Sequence, residues 1–192
     1  MESDPLQALR ATLRPGRYRW WHAAAIGTGA NVVSGLAFRR LPDEQYYEEL
    51  KRPWFAPPSW AFGPAWAINN VAELWGNLRL LNLPRDTPHR QALLALQGAS
   101  WALFSTYSWA AFRTRSTILS FAWSGSYWLL TIASAALSRK ADRKMALSFT
   151  PLLAWLTLAT ALSGYIAACN DDPFFHTPAL LSGRCRDEEP GA

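Results

Sequence analysis

Four stretches of the chain, 20 to 38, 91 to 112, 116 to 138 and 145 to 170, contain no Asp, Glu, Lys or Arg, and a fifth, 53 to 78, contains only Glu73. A helix rising 1.5 Å per residue needs about 20 residues to cross roughly 30 Å of hydrocarbon, and a charge at its centre costs at least ~2.5 kcal/mol. The pattern therefore predicts five helices at these places. Buried helices of a soluble bundle can also be apolar all round, but most helices there need a charged outer face at a 3.6-residue period. No such face exists from Gln91 to Phe112 or from Ser116 to Ser138. Membrane-spanning strands fail as well, because they require strict alternation and these runs are long and rich in Ala and Leu. The expected fold class is all-α, an integral membrane bundle of five transmembrane helices over residues 20–170. An N-terminal extension (1–19) and a C-terminal tail (171–192) flank it.

Composition sharpens this picture. The chain has 192 residues, enough for one domain, with 17% charged residues and 11 tryptophans. A mean hydropathy of -0.06 is low for a membrane protein. It averages polar ends with Trp, Ser, Gly and Ala, which common scales rate low. Met1 to Arg19 carries Glu2 and Asp4 before its arginines, and no compact apolar core with a small-residue cleavage site follows, so a secretory signal is not expected. Five spans put the termini on opposite sides, and a mild excess of Lys and Arg on the N-terminal side favours a cytoplasmic N-terminus. Which membrane is involved is left open. The net charge of +5 is spread over short loops rather than gathered on one face, which points to lipid headgroups and away from nucleic acid. Cys169 and Cys185 have no metal-type spacing, and no disulfide framework follows from two cysteines, so both read as passive.

Between the first two spans lies Leu41-Pro-Asp-Glu-Gln-Tyr-Tyr-Glu-Glu-Leu-Lys-Arg-Pro-Trp-Phe-Ala-Pro-Pro-Ser-Trp-Ala-Phe-Gly-Pro-Ala-Trp66. Pro53, Pro57 and Pro58 restrict the backbone, so Trp54, Phe55 and Trp60 can be held as an aromatic lid at little conformational cost. This stretch resembles the tryptophan-rich sensory protein family, the translocator protein or peripheral benzodiazepine receptor group. Tyr46, Tyr47, Arg52, Pro53, Phe55, Pro57, Pro58, Trp60, Phe62, Gly63, Pro64 and Trp66 stand in register with its hallmark. Pro151-Leu-Leu-Ala-Trp155-Leu-Thr-Leu-Ala159-Thr-Ala-Leu162, with Asn170 beyond, is similar to the family's fifth helix. The resemblance covers roughly residues 20 to 170. Departures are Phe55 where the family has the lid tryptophan, Asn69-Asn70 for Leu-Tyr, Trp101 for the Asn after Gln97, and Ser163 for the Asn after Leu162.

The resemblance implies a site beneath the first loop for porphyrins and related tetrapyrroles, haem included, or for sterol-like and synthetic aromatic molecules. It requires no cofactor. Its implied role is sensory, regulatory or transport-related, and it also implies a homodimer, for which Gly125, Ala135 and Ala136 permit close helix contact. An alternative is an enzyme degrading protoporphyrin in light and oxygen through oxidisable Trp side chains. No nucleophile, base and oxyanion constellation is present, and Ser105, Ser124 and Thr157 read as interhelical donors. Sterol binding ranks lower: the basic member of the family's fifth-helix pattern is missing after Leu162 and Tyr165, and Leu41, Tyr46 and Lys51 match only a weak motif.

Read from the residues alone, Asn69, Glu73 and Asn77 recur every four positions with Asn70 beside them, one polar stripe expected to face the bundle interior. Structural hydrogen bonding between helices competes there with ligand contact. Glu73 is expected to line the cavity. Trp20, Trp21 and Trp75 read as interface anchors, and Trp109, Trp123 and Trp128 as packing against neighbours or lipid. Trp54, Trp60, Trp66 and Trp155 are expected at the pocket, with Trp101 near it. His22, His89 and His176 fall at or beyond span ends, which disfavours an axial haem ligand in the cavity. The tail after Asn170 reads as dispensable for binding.

Overall fold

The computed structural model describes residues 17–38, 43–181, 183 and 185; most of the N-terminal extension, Leu41 and the rest of the tail lie outside them. Helix α1 spans Trp20–Phe38, α2 Asp43–Glu49, α3 Phe62–Asn82, α4 Arg90–Ser108, α5 Thr117–Ala141, α6 Arg143–Ser148 and α7 Thr150–Cys169. A 3-10 turn at Ser59–Ala61 leads into α3, and α4 runs on into a π-helical turn, Trp109–Arg113. The described residues form no strand, only an isolated bridge between Asp172 and Thr177. The chain is thus all-helical.

Local chemistry sets the boundaries. Residues 53–58, read from the charge pattern as part of a span, are not helical, because three prolines remove N–H donors and push their predecessors out of the α region. The stretch from 145 to 170 is likewise interrupted at Phe149, just before Pro151 in the first turn of α7. Ser116 caps α5, its side chain accepting from Leu119 N, and Asp142 caps α6, accepting from the backbone N–H groups of Lys144 and Met145.

Helix α5 packs along α7 and α4, α1 lies on α4 and α3, and α3 leans on α6 and α7. The interior is polar to an unusual degree. Ser116, Ser124, Thr131, Ser134 and Ser138 of α5 are all buried. With half-buried Ser120 and buried Tyr127 they form one inward stripe at spacings of three and four residues. Meanwhile Ile68, Val71, Leu129 and Leu147 are largely exposed, Val71 by 70%. This inverts the arrangement of a water-soluble domain. Among the described residues one stretch, Arg143–Cys169, is long and apolar enough to cross a membrane by length and mean hydropathy, rather than the five expected from charge alone. Helices α3, α4 and α5 have a lower mean hydropathy in part because they turn Asn, Gln, Ser and Thr inward, and hydropathy cannot tell an inward polar residue from an outward one.

Gly76 marks a close approach of α3 to α6: a Cβ there would collide with the Ser148 hydroxyl and lie 3.2 Å from its Cβ. Gly76→Leu is expected to cost about 3 kcal/mol or to prevent folding, read as a lowered thermal midpoint in detergent.

The tail returns to the bundle. Cys169, at the end of α7, forms a disulfide with Cys185, their Cα atoms 5.8 Å apart. This corrects the passive reading: the turn at 172–177 carries the chain back, which two cysteines 16 residues apart do not reveal.

Candidate functional site

At one end of the bundle the tail of α1, the start of α3, the end of α4, the start of α5 and the end of α7 enclose a cavity of about 370 Å³. That volume falls within the range of small-molecule sites. Trp66 forms part of its wall, edge-on to Phe104 (5.3 Å between centroids) and Trp155 (6.3 Å) and near-parallel to Tyr127 (6.3 Å). Phe62 meets Trp155 edge-on at 5.4 Å. The buried indole N–H of Trp155 finds no acceptor in the protein, leaving a donor at the wall. Asn31 and hydroxyl groups supply the rest of the polarity: Ser34 bonds Ser108 at 2.9 Å, and Tyr107 bonds Ser120 at 2.9 Å.

Helix α2, through Tyr46 and Tyr47, with Leu50 and Ser59 beyond it, covers one side of the cavity. The Tyr46 hydroxyl donates to the Arg115 carbonyl (2.7 Å) and the Tyr47 hydroxyl to the Pro57 carbonyl (3.0 Å). Burial, helped by the charge of Asp172, pushes the Tyr46 hydroxyl up to about 12, so it stays a neutral donor at any ordinary pH. Arg52 stacks over Tyr47, 4.8 Å from its centroid, and pairs with Glu48 at 2.6 Å. Asn170 fastens this cover to α7, accepting from Lys51 N (2.8 Å) and donating to Lys51 O (3.1 Å). Asp172 fastens the tail to the start of α5: its carboxylate accepts from Ser116 Oγ (2.7 Å), Ile118 N (2.9 Å) and Phe175 N (2.8 Å). Burial raises its pKa, but these hydrogen bonds outweigh burial and hold the carboxyl below its usual range.

Of the residues singled out in the sequence, Tyr46, Tyr47, Phe62, Trp66 and Trp155 come together at the cavity. Trp54 and Trp60 do not: they are 83% and 74% exposed, pointing away from the mouth they were expected to cover. Phe55 packs edge-on against Trp54, and Pro57 and Pro58 shape the loop without lining the cavity. Glu73 does not line it either. It lies 1% exposed beneath the floor and accepts from the Tyr127 hydroxyl at 2.9 Å, one hydrogen bond away from the cavity. Asn69 and Asn77 are buried on the same stripe, beside half-buried Asn70, and Trp101 is buried against Phe104. Thr157 does bond across helices, accepting from Trp128 Nε1 at 3.0 Å, whereas Ser105 turns back onto its own helix. His22 stacks on Trp21 at 3.4 Å, and none of the three histidines is among the lining residues.

Sequence reasoning missed Phe104, Tyr107, Ser120 and Tyr127. The signal was available: the 3/4 spacing of small polar residues and Tyr127 along α5 marks an inward face as plainly as the Asn69 stripe does.

Comparison with known proteins places this architecture among relatives. The family model described as TspO/MBR family matches residues 23–168. A tryptophan-rich sensory protein of Cereibacter sphaeroides is 28% identical over 135 residues, covering 70% of this chain and 81% of that protein. A translocator protein homolog of Schizosaccharomyces pombe is 37% identical over 49 residues, covering 26% of this chain and 28% of that protein.

Proposed function

Because the chain belongs to the TspO/MBR family, a family of membrane proteins, we propose that its five long helices all cross the bilayer and that the cavity receives a flat, largely apolar aromatic ligand of tetrapyrrole type, in a sensory or transport-related role. The observation that carries this reading is the chamber walled by Trp66, Trp155, Phe62 and Tyr127, with the unpartnered Trp155 indole N–H and scattered hydroxyl groups for the ligand's polar edge. Aromatic faces bind planar guests by stacking, and few polar groups are needed to orient them. Spanning by all five helices is supported by the polar interior and apolar exterior, since lipid covers what water would not.

The same reading orients the chain. The cavity lies at the end that carries the Cys169–Cys185 disulfide, and the cationic turns at 79–90 and 139–144 lie at the other. A disulfide belongs on the oxidising side and the Lys/Arg excess on the cytoplasmic side, so the cavity opens away from the cytoplasm.

Titrating the purified protein with protoporphyrin, haem and cholesterol tests the ligand class. Protoporphyrin is expected to quench Trp fluorescence saturably and with the highest affinity; absence of saturable quenching would remove this reading. Oxidisable Trp66 and Trp155 in the wall keep photochemical degradation as a second reading. Under illumination in air, steady loss of porphyrin absorbance that Trp66→Phe and Trp155→Phe abolish would favour it, and constant absorbance would leave binding alone. Sterol recognition has less support, since the Tyr46 hydroxyl is engaged with the Arg115 carbonyl. For a homodimer, Ala136 faces outward on α5, whereas Gly125 is turned toward Thr160 of α7.

A further inference from the structure

At the end of the bundle opposite the cavity, three helix termini converge on a second recess of about 430 Å³. Ala135 and Arg139, one turn apart, come from the end of α5; Arg143, Ala146 and Leu147 form one face of α6; Thr150 and Leu153 open α7. The recess is divided in character: two guanidinium groups and a hydroxyl on one hand, Ala, Leu and methyl surface on the other. Both arginines are exposed, and Leu147 is 63% exposed.

Among the described residues the cations here outnumber their counter-charges. Residues 139–144 hold Arg139, Lys140, Arg143 and Lys144 against one acid, Asp142. That acid is already saturated. Arg79 binds one of its oxygens through Nε (2.8 Å) and Nη2 (2.6 Å), and Lys144 N and Met145 N bind the other at 2.8 and 3.2 Å. Among the described residues no salt bridge reaches Arg139 or Arg143. Guanidinium groups favour phosphate oxygens because their planar fork matches that geometry, and basic pockets between helices at the cytoplasmic surface suit anionic headgroups.

We propose that the α5–α6–α7 recess is a binding site for one anionic phospholipid, its phosphate held by Arg139 and Arg143 with Thr150 beside them and its acyl chain laid against Ala135, Ala146, Leu147 and Leu153. The occupant is a lipid rather than free phosphate because the apolar half of the recess would otherwise face solvent or bilayer unfilled, and the chain belongs to a membrane family. This site is separate from the cavity and independent of what the cavity binds.

Native mass spectrometry of the full chain in detergent, titrated with phosphatidylglycerol, phosphatidylcholine or inorganic phosphate, tests it. One phosphatidylglycerol is expected to bind about tenfold or more tightly than phosphatidylcholine, as two surface cations would supply. The double variant Arg139→Ala/Arg143→Ala is expected to erase that preference. Lys140→Ala/Lys144→Ala, which removes the same charge from residues that do not line the recess, is expected to keep it. Ala146→Trp, which keeps every charge but fills the recess, is expected to lose binding. Equal loss in the two charge-matched variants would mean diffuse attraction and overturn the site. So would undiminished binding in Ala146→Trp, equal affinity for the two lipids, or displacement by millimolar inorganic phosphate. Helical content measured by circular dichroism alongside separates these outcomes from unfolding.

Discussion

Asp172→Ala is expected to destabilise the protein by about 3 kcal/mol, the order of cost of stripping several hydrogen-bond partners from one buried corner. Asp172 is 2% exposed, and its carboxylate satisfies Ser116 Oγ and the N–H of Ile118 in the first turn of α5, as well as Phe175 N in the tail. The helix N-terminus itself attracts the negative charge. Because Ser116 and Thr117 line the cavity, loosening this corner is also expected to weaken ligand binding. Truncation after Asn170 removes the same carboxylate together with Cys185, and so is expected to be at least as damaging. Composition treats that tail as a fraying end; its backbone instead pairs Asp172 with Thr177 and sends Leu181 N to Ala168 O at 2.9 Å. The effect carries a pH signature. The folded carboxyl lies below the roughly 3.9 of an unfolded chain, so its stabilisation is complete above about pH 4 and is lost as pH falls through the lowered folded value. Thermal midpoints measured between about pH 2 and 6 should fall less steeply in Asp172→Asn than in the parent protein. Equal slopes would remove Asp172 as the titrating group.

Trp66→Ala is expected to weaken binding of an aromatic ligand by about 30- to 100-fold, matching the 2–3 kcal/mol that a central, well-packed indole carries at an interface. Three aromatic neighbours, Phe104, Tyr127 and Trp155, are placed against this ring, so its loss both removes stacking surface and lets the wall collapse. Trp54→Ala is the contrasting case. Its ring is 83% exposed and absent from the wall, so affinity should change by less than about threefold, the scale of a surface substitution. Fluorescence titration of both variants with protoporphyrin separates the two. A larger loss from Trp54→Ala than from Trp66→Ala would mean that the loop closes over the ligand and that the lid reading was right.

Much of the fold was legible because it depends on one-dimensional chemistry. Charge-free runs of helical length located the five long helices to within a few residues, except where prolines interrupt them at 53–58 and 151. Proline still fits the argument there, since it removes donors whatever the surroundings. The stripe of Asn69, Glu73 and Asn77 was rightly placed inside, because a fourfold repeat on a helix fixes a face.

By itself, the order of residues determined an all-helical chain with an apolar exterior, the inward stripe of α3, and membership of a recognisable family. Only the tertiary structure decided which aromatics share the cavity, that Glu73 sits a hydrogen bond below it, that Trp54 and Trp60 point outward, and that Cys169 meets Cys185. The reason is geometric. Periodicity states which side of a helix is turned in, but which residue faces which depends on how far each helix slides and rotates against its neighbours. Close approaches such as Gly76 on Ser148 and clasps such as Asp172 on Ser116 set those offsets, and each joins positions 56 or more residues apart.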